Sequence, residues 1–195
     1  MDNKKFQIID WDGSNFANEI KLDTCVIEEY DDLIKKIKKN QVSCEKEYVI
    51  AIGFNPSNIT VFNDDETNLY LRNKIQLEYR NNSNVKGYIL VNLISKIQND
   101  SKKVGFNDVD EEYIKDIIKL INDLYNYQIV LFFGKMGVEL INHKGKSLSD
   151  LKKTLIANRE RIKYTSKPEK FIHPGHSANN YILTDWKDGL LERND

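Results

Sequence analysis

The chain has 195 residues and a mass of 22.8 kDa, the size of one ordinary domain with a core of its own. Apolar and aromatic residues make up 40% and charged residues 30%, which excludes a wholly disordered or collagen-like chain; no window approaches the roughly 18 apolar residues of a membrane span. Twenty-nine basic and thirty acidic side chains leave a net charge of −1, and a pI of about 6.3 is not that of a strong nucleic-acid binder.

The first ten residues are too short and too acidic for a secretory signal, so a cytoplasmic location is expected. Cys25 and Cys44 lack metal-ligand spacing and read as reduced structural thiols. An apolar run, Phe6 to Ile9, leads to a turn at Trp11-Asp12-Gly13. Asp31 to Lys39 reads as a helix, with Leu33, Ile34 and Ile37 on one face and four lysines on the other; Gln41 to Lys46 reads as a polar loop. Tyr48 to Ile52, ending at Gly53, is a continuous β-branched run of the kind that fills a parallel sheet covered on both faces. A polar loop, 55–68, precedes a helix over Leu69 to Tyr79, with Thr67 or Asn68 as its cap.

Tyr88 to Val91, ending at Asn92, is a second buried strand. Glu111 to Tyr125 is the clearest helix, since Ile114, Ile117, Ile118, Ile121 and Leu124 recur every three or four residues. Gln128 to Phe133 is a third strand, closed by Gly134. Ser147 with Asp150 reads as a capping box opening a helix that carries Leu151, Leu155 and Ile162. Phe171-Ile172 is a short fourth strand running into His173-Pro174-Gly175-His176, and Trp186 and Leu190 in the acidic tail are expected to pack back on the domain. Strands alternating with helices predict one α/β domain over 1–195: three layers, αβα, around a mainly parallel sheet of about four strands.

In such sheets ligands bind beyond the carboxyl ends of the strands. The predicted strand ends there carry Gly53-Phe54-Asn55-Pro56-Ser57, Asn92, Gly134-Lys135-Met136-Gly137 and His173-Pro174-Gly175-His176. An Asn amide has one acceptor and two donors, enough to pair with a pyrimidine edge. A histidine donates to an oxygen that gains charge, and the prolines restrict the residues before them. Gly134-Lys135 lacks the spacing of a triphosphate loop but suits a single phosphate. His143 reads as a solvated loop residue. The basic run Lys152, Lys153, Arg159, Arg161 and Lys163 reads as a solvated face, with a phosphate-backbone face as the sharper alternative.

Gly53-Phe54-Asn55-Pro56-Ser57, then Asp64-Asp65-Glu66-Thr67 and Arg72, then Val91-Asn92-Leu93, Phe133-Gly134 and His173-Pro174, resemble in order the blocks of domain-of-unknown-function family 1643. The resemblance covers about residues 48–180 and leaves 1–45 as an extension. That family is in turn similar to the uracil-DNA glycosylase superfamily. The resemblance implies that Asn55 positions an attacking water, that Asn92 reads the base and that His173 supports the leaving base, with Phe54 or Phe62 stacking on it. Gly53, Pro56, Ser57, Asp65, Thr67, Arg72, Gly134 and His176 complete the implied binding set. The last loop reads His-Pro-Gly-His where those enzymes carry His-Pro-Ser, and neither Tyr181 nor Ile182 is well placed as a wedge for the base stack. Binding of a nucleobase, nucleoside or nucleic acid is expected, with hydrolysis of an N-glycosidic bond as its enzymatic form and no metal or other cofactor. The alternatives are a non-catalytic binding module of phage or mobile-element origin and a small-molecule hydrolase or transferase built on Asp65 and Arg72.

Overall fold

The apolar run of β3 (Glu47–Gly53) lies at the middle of the fold. In the computed structural model, residues 6–11, 22–27, 29–44, 47–54, 66–79, 85–96, 104–143, 145–167, 170–171 and 182–191 are described. β3 pairs in parallel with β4 (Val85–Asn92) on one side and β5 (Ile129–Leu131) on the other, and β5 pairs in parallel with β6 (Ile162–Lys167). β1 (Phe6–Trp11) lies antiparallel on β4 and carries β2 (Leu22–Ile27). β7 (Lys170–Phe171) and β8 (Ile182–Asp185) both lie antiparallel on β6. Among the described residues the sheet is therefore mixed and eight-stranded, in the order β2-β1-β4-β3-β5-β6-β7 with β8 on β6. This corrects the expectation of about four mainly parallel strands: the parallel part is a four-strand centre, and antiparallel strands flank it on both sides.

Among the described residues five α-helices complete the fold: α1 (Tyr30–Cys44), α2 (Glu66–Tyr79), α3 (Glu111–Asp123), α4 (Gly134–Ile141) and α5 (Lys146–Ala157). Strand pleating sends alternate residues to opposite faces. Tyr48, Ile50 and Ile52 of β3 join Leu33, Ile117, Leu140 and Leu151 in a core beneath α1, α3, α4 and α5. Val49 and Ala51 join Leu71, Ile75 and Phe132 in a smaller core beneath α2. The three-layer arrangement follows, with one of the described helices on one face and four on the other.

Several boundaries differ from the sequence reading for physical reasons. α1 continues through Cys44, taking in most of the expected polar loop. α2 starts at Glu66, so Thr67 and Asn68 lie inside its first turn and are not its cap. α3 begins where Asp110 accepts the backbone N–H groups of Glu112 and Tyr113, each at 3.1 Å. α5 starts at Lys146 after Gly145 with no side-chain cap; Ser147 is buried, and Asp150 pairs instead with Lys153. The fourth parallel strand is β6, not Phe171-Ile172, because β7 runs back antiparallel along β6 with Phe171 opposite Ser166. In the tail, Trp186 and Leu190 pack against the larger core, and Leu191 is fully buried there. Among the described residues no helix is long and apolar enough to cross a membrane.

Candidate functional site

The carboxyl ends of β4, β3, β5 and β6 lie side by side, as parallel pairing requires. Connections leave this rim in opposite directions. From β3 the chain passes through α2 on one face to β4; from β4 it passes through α3 on the other face and crosses β3 to reach β5. Such a reversal opens a crevice at the strand ends. α2 runs back from the rim: Glu78, near its carboxyl end, reaches Lys163 at the amino end of β6 at 3.1 Å. The half of α2 that carries Thr67 and Arg72 therefore lies nearer the rim.

Asn92 is register partner to Gly53, and Phe132 N–H donates to Ile52 O at 2.9 Å, which sets Asn92, Gly53 and Phe132 in one row across three strands. All three positions face α2. Gly53 leaves a gap that its neighbours fill: a Cβ there would lie 2.3 Å from Asn92 Oδ1 and 2.5 Å from Phe132 Cζ. The amide of Asn92 and the ring of Phe132 thus meet over the bare Cα of Gly53. Asn92 is only 5% exposed, and among the described residues nothing hydrogen-bonds its side-chain amide. Its backbone N–H donates to the Tyr113 hydroxyl at 3.3 Å. Tyr113 is fully buried on α3, and burial pushes its phenol well above the usual tyrosine range.

Phe54 turns the other way. It is buried in the larger core on the opposite face, so the aromatic ring beside Asn92 is that of Phe132. Sequence reasoning missed Phe132 because an aromatic residue ending an apolar run looks like any other core residue. Gly134 adopts φ 61 and opens α4; this left-handed conformation strains any residue with a Cβ. Next to it, Lys135 is exposed and lies 3.8 Å from Glu139. Asn55, Pro56, Ser57, Asp65, His173 and His176, with Phe62, lie outside the described residues, and only the backbone placement of Thr67 and Arg72 is described. The residues that bracket the His-Pro segment, Phe171 and Ile182, both pair with Ser166 near the carboxyl end of β6.

The basic run is engaged in the structure. Arg161 donates to the carbonyl oxygens of Ile121 and Tyr127 at 2.5 Å and of Leu124 at 2.9 Å, and to Asn158 Oδ1 at 3.0 Å. It caps the carboxyl end of α3, whose orphan carbonyls need donors. Lys163 bridges Glu78 and Asp185, Lys153 pairs with Asp150, Arg159 with Glu160, and Lys152 donates to Asn142. His143 stacks on Phe106 with ring centroids 3.7 Å apart. A cavity of about 480 Å³ opens at the other end of the sheet, between α1 and the turn after α3; Ile34, Ile37, Lys38, Tyr125 and Tyr127 line it, and none of the predicted site residues does. Among the described residues no cluster of three or more His, Cys, Asp or Glu forms a metal site.

A protein family described as "Protein of unknown function (DUF1643)" matches residues 35–175, and the chain belongs to that family. No curated protein and no solved structure matches the chain.

Proposed function

We propose that the protein recognises a nucleobase, free or within a nucleoside or nucleic acid, in a uracil-DNA-glycosylase-like pocket at the carboxyl rim of the sheet. The observation that carries this reading is Asn92: a residue only 5% exposed that closes the apolar run of β4 and sets its amide beside an aromatic ring, with no hydrogen bond to its side chain among the described residues. The donor and acceptor of a base edge satisfy such an amide in full. Phe132 beside it offers an apolar flank to a flat ring.

In the enzymatic form of this reading Asn55, which directly follows Phe54, places a water for attack on the glycosidic carbon. His173 donates to the oxygen of the departing base as it gains charge. Asp65, Thr67, Arg72 and His176 complete the wall. A base within duplex DNA must first leave the stack.

Calorimetric titration with uracil, hypoxanthine and uridine tests recognition. Incubation with uracil- or hypoxanthine-containing oligonucleotides, followed by alkaline cleavage, tests hydrolysis. Binding that Asn92→Ala and Asn55→Ala each weaken at least tenfold is the expected result. Binding without strand breaks assigns a non-catalytic module, and neither binding nor breaks at high protein load overturns the proposal.

A further inference from the structure

The proposed pocket depends on the direction of one amide, and groups on two sides of Asn92 set it. Leu93 N–H donates toward β3, to Gly53 O at 2.9 Å. Successive N–H groups of a strand point to opposite sides, so that of Asn92 points toward β1. The described ladder between β1 and β4 ends at Phe6 opposite Val91, one residue short of Asn92. The Tyr113 hydroxyl, brought in from α3, accepts this N–H at 3.3 Å. The Tyr113 ring packs edge-on against Phe6 with centroids 5.6 Å apart, a contact that a phenylalanine would make equally well. A hydroxyl in an apolar core is costly without a partner, and here it meets the strand-end N–H of the candidate base reader. On the side-chain side, the missing Cβ of Gly53 leaves the space that Asn92 Oδ1 and the Phe132 ring share.

Resting on the nucleobase reading, we propose that Tyr113 and Gly53 are positioning residues for Asn92: the first anchors its backbone through the N–H, the second leaves room for its amide beside the Phe132 ring. Neither touches the ligand. Specificity at the rim is thereby tied to the first turn of α3, on the opposite face of the sheet.

Tyr113→Phe keeps the ring and removes the acceptor. Two readouts apply: hydrogen exchange of the Asn92 amide with the resonances of its side-chain NH₂ group, and uridine affinity by calorimetry. Exchange at Asn92 is expected to speed up about tenfold relative to Leu90 and Val91, and affinity to fall about three- to tenfold, the range of one lost hydrogen bond. In an Asn92→Ala background Tyr113→Phe is expected to cost no further affinity, because a residue acting through Asn92 has nothing left to act on. Gly53→Ala perturbs the same amide from the other side and is expected to shift the same NH₂ resonances, which keeps the test open should Tyr113→Phe lose its fold. Unchanged exchange and resonances, or additive affinity losses, overturn the proposal. A wild-type protein that binds no nucleobase sinks the functional reading alone, and the exchange measurement still decides the positioning.

Discussion

Replacing Gly53 by alanine tests the assembly of the rim. An ideal Cβ at Gly53 would lie 2.3 Å from Asn92 Oδ1 and 2.5 and 2.8 Å from Phe132 Cζ and Cε2. Carbon contacts are comfortable only beyond about 3.5 Å, so the amide, the ring or both must retreat by about 1 Å. Both are buried, and overpacking of this kind costs about 1–3 kcal/mol. A stiffer unfolded chain returns about 0.4–1 kcal/mol. The net loss is about 1–2 kcal/mol, a fall in Tm of about 2–8 °C for a chain of this size. Gly137→Ala is the control: its Cβ would lie 2.3 Å from Phe133 Cδ2 and 2.5 Å from Phe133 Cβ and Cγ, but Phe133 belongs to the core on the other face. Urea denaturation followed by circular dichroism measures stability, and uridine titration measures the site. Gly53→Ala is expected to lose both stability and binding, Gly137→Ala stability alone. A Gly53→Ala protein with wild-type stability and unchanged binding refutes the steric reasoning.

Other parts of the fold give further predictions. Arg161→Met withdraws four charged hydrogen bonds, two of them to carbonyls at the end of α3 and one to Tyr127 O in the turn beyond it; with water replacing part of them, the expected cost is about 2–3 kcal/mol by urea denaturation, Arg161→Lys falling between, and a change under about 0.5 kcal/mol contradicts the capping role. At Asp108, the Lys96 ammonium at 2.6 Å and the Gly105 N–H hold the carboxyl below the usual carboxylate range. A carboxylate depressed in the folded state stabilises above its unfolded pKa of about 4 and loses that contribution as pH falls through the folded value. Asp108→Asn is therefore expected to cost up to about 1 kcal/mol at neutral pH and to flatten the acid limb of the stability curve; an acid limb as steep as the wild type's goes against it.

Three of the four parallel strands, β3, β4 and β5, were legible because each holds a continuous apolar run, and α3 because it has an unbroken helical period. Other elements hid for identifiable reasons. β6 reads Ile-Lys-Tyr-Thr-Ser-Lys, and Ile162 extends the spacing of Leu151 and Leu155, so the sequence pattern carries a helix into what is a strand. The helix stops at Ala157, and a 3₁₀ turn at Arg159–Arg161 redirects the chain. β6 tolerates polar residues because Lys163 finds Glu78 and Asp185, and Ser166 Oγ lies 2.5 Å from Thr184 Oγ1. Arg161 looked like part of a solvated basic face because a charge pattern cannot reveal that one guanidinium folds inward onto carbonyls. At the rim, Asn92 was legible as the one polar residue closing an apolar strand. Phe132 was not, and neither was Tyr113, whose link to Asn92 spans 21 positions and exists only once α3 is docked.

Asn92 also separates a structural amide from a functional one. A structural asparagine at a strand end is held by its partners, and its loss leaves them unpaired at a cost of about 1–3 kcal/mol. The side chain of Asn92 has no such partner among the described residues and lies against the Phe132 ring. Leucine has the same branching at the γ position and no polar atoms to desolvate. Asn92→Leu is therefore expected to leave stability unchanged or raise it by about 1 kcal/mol, while uridine binding disappears. Strained or unpaired groups of this kind persist where function needs them, and removing them stabilises the fold at the expense of activity. Thermal denaturation and calorimetry on the same preparation decide the matter: a fall in Tm of several degrees with binding intact returns Asn92 to a purely structural role and leaves the rim without its reader.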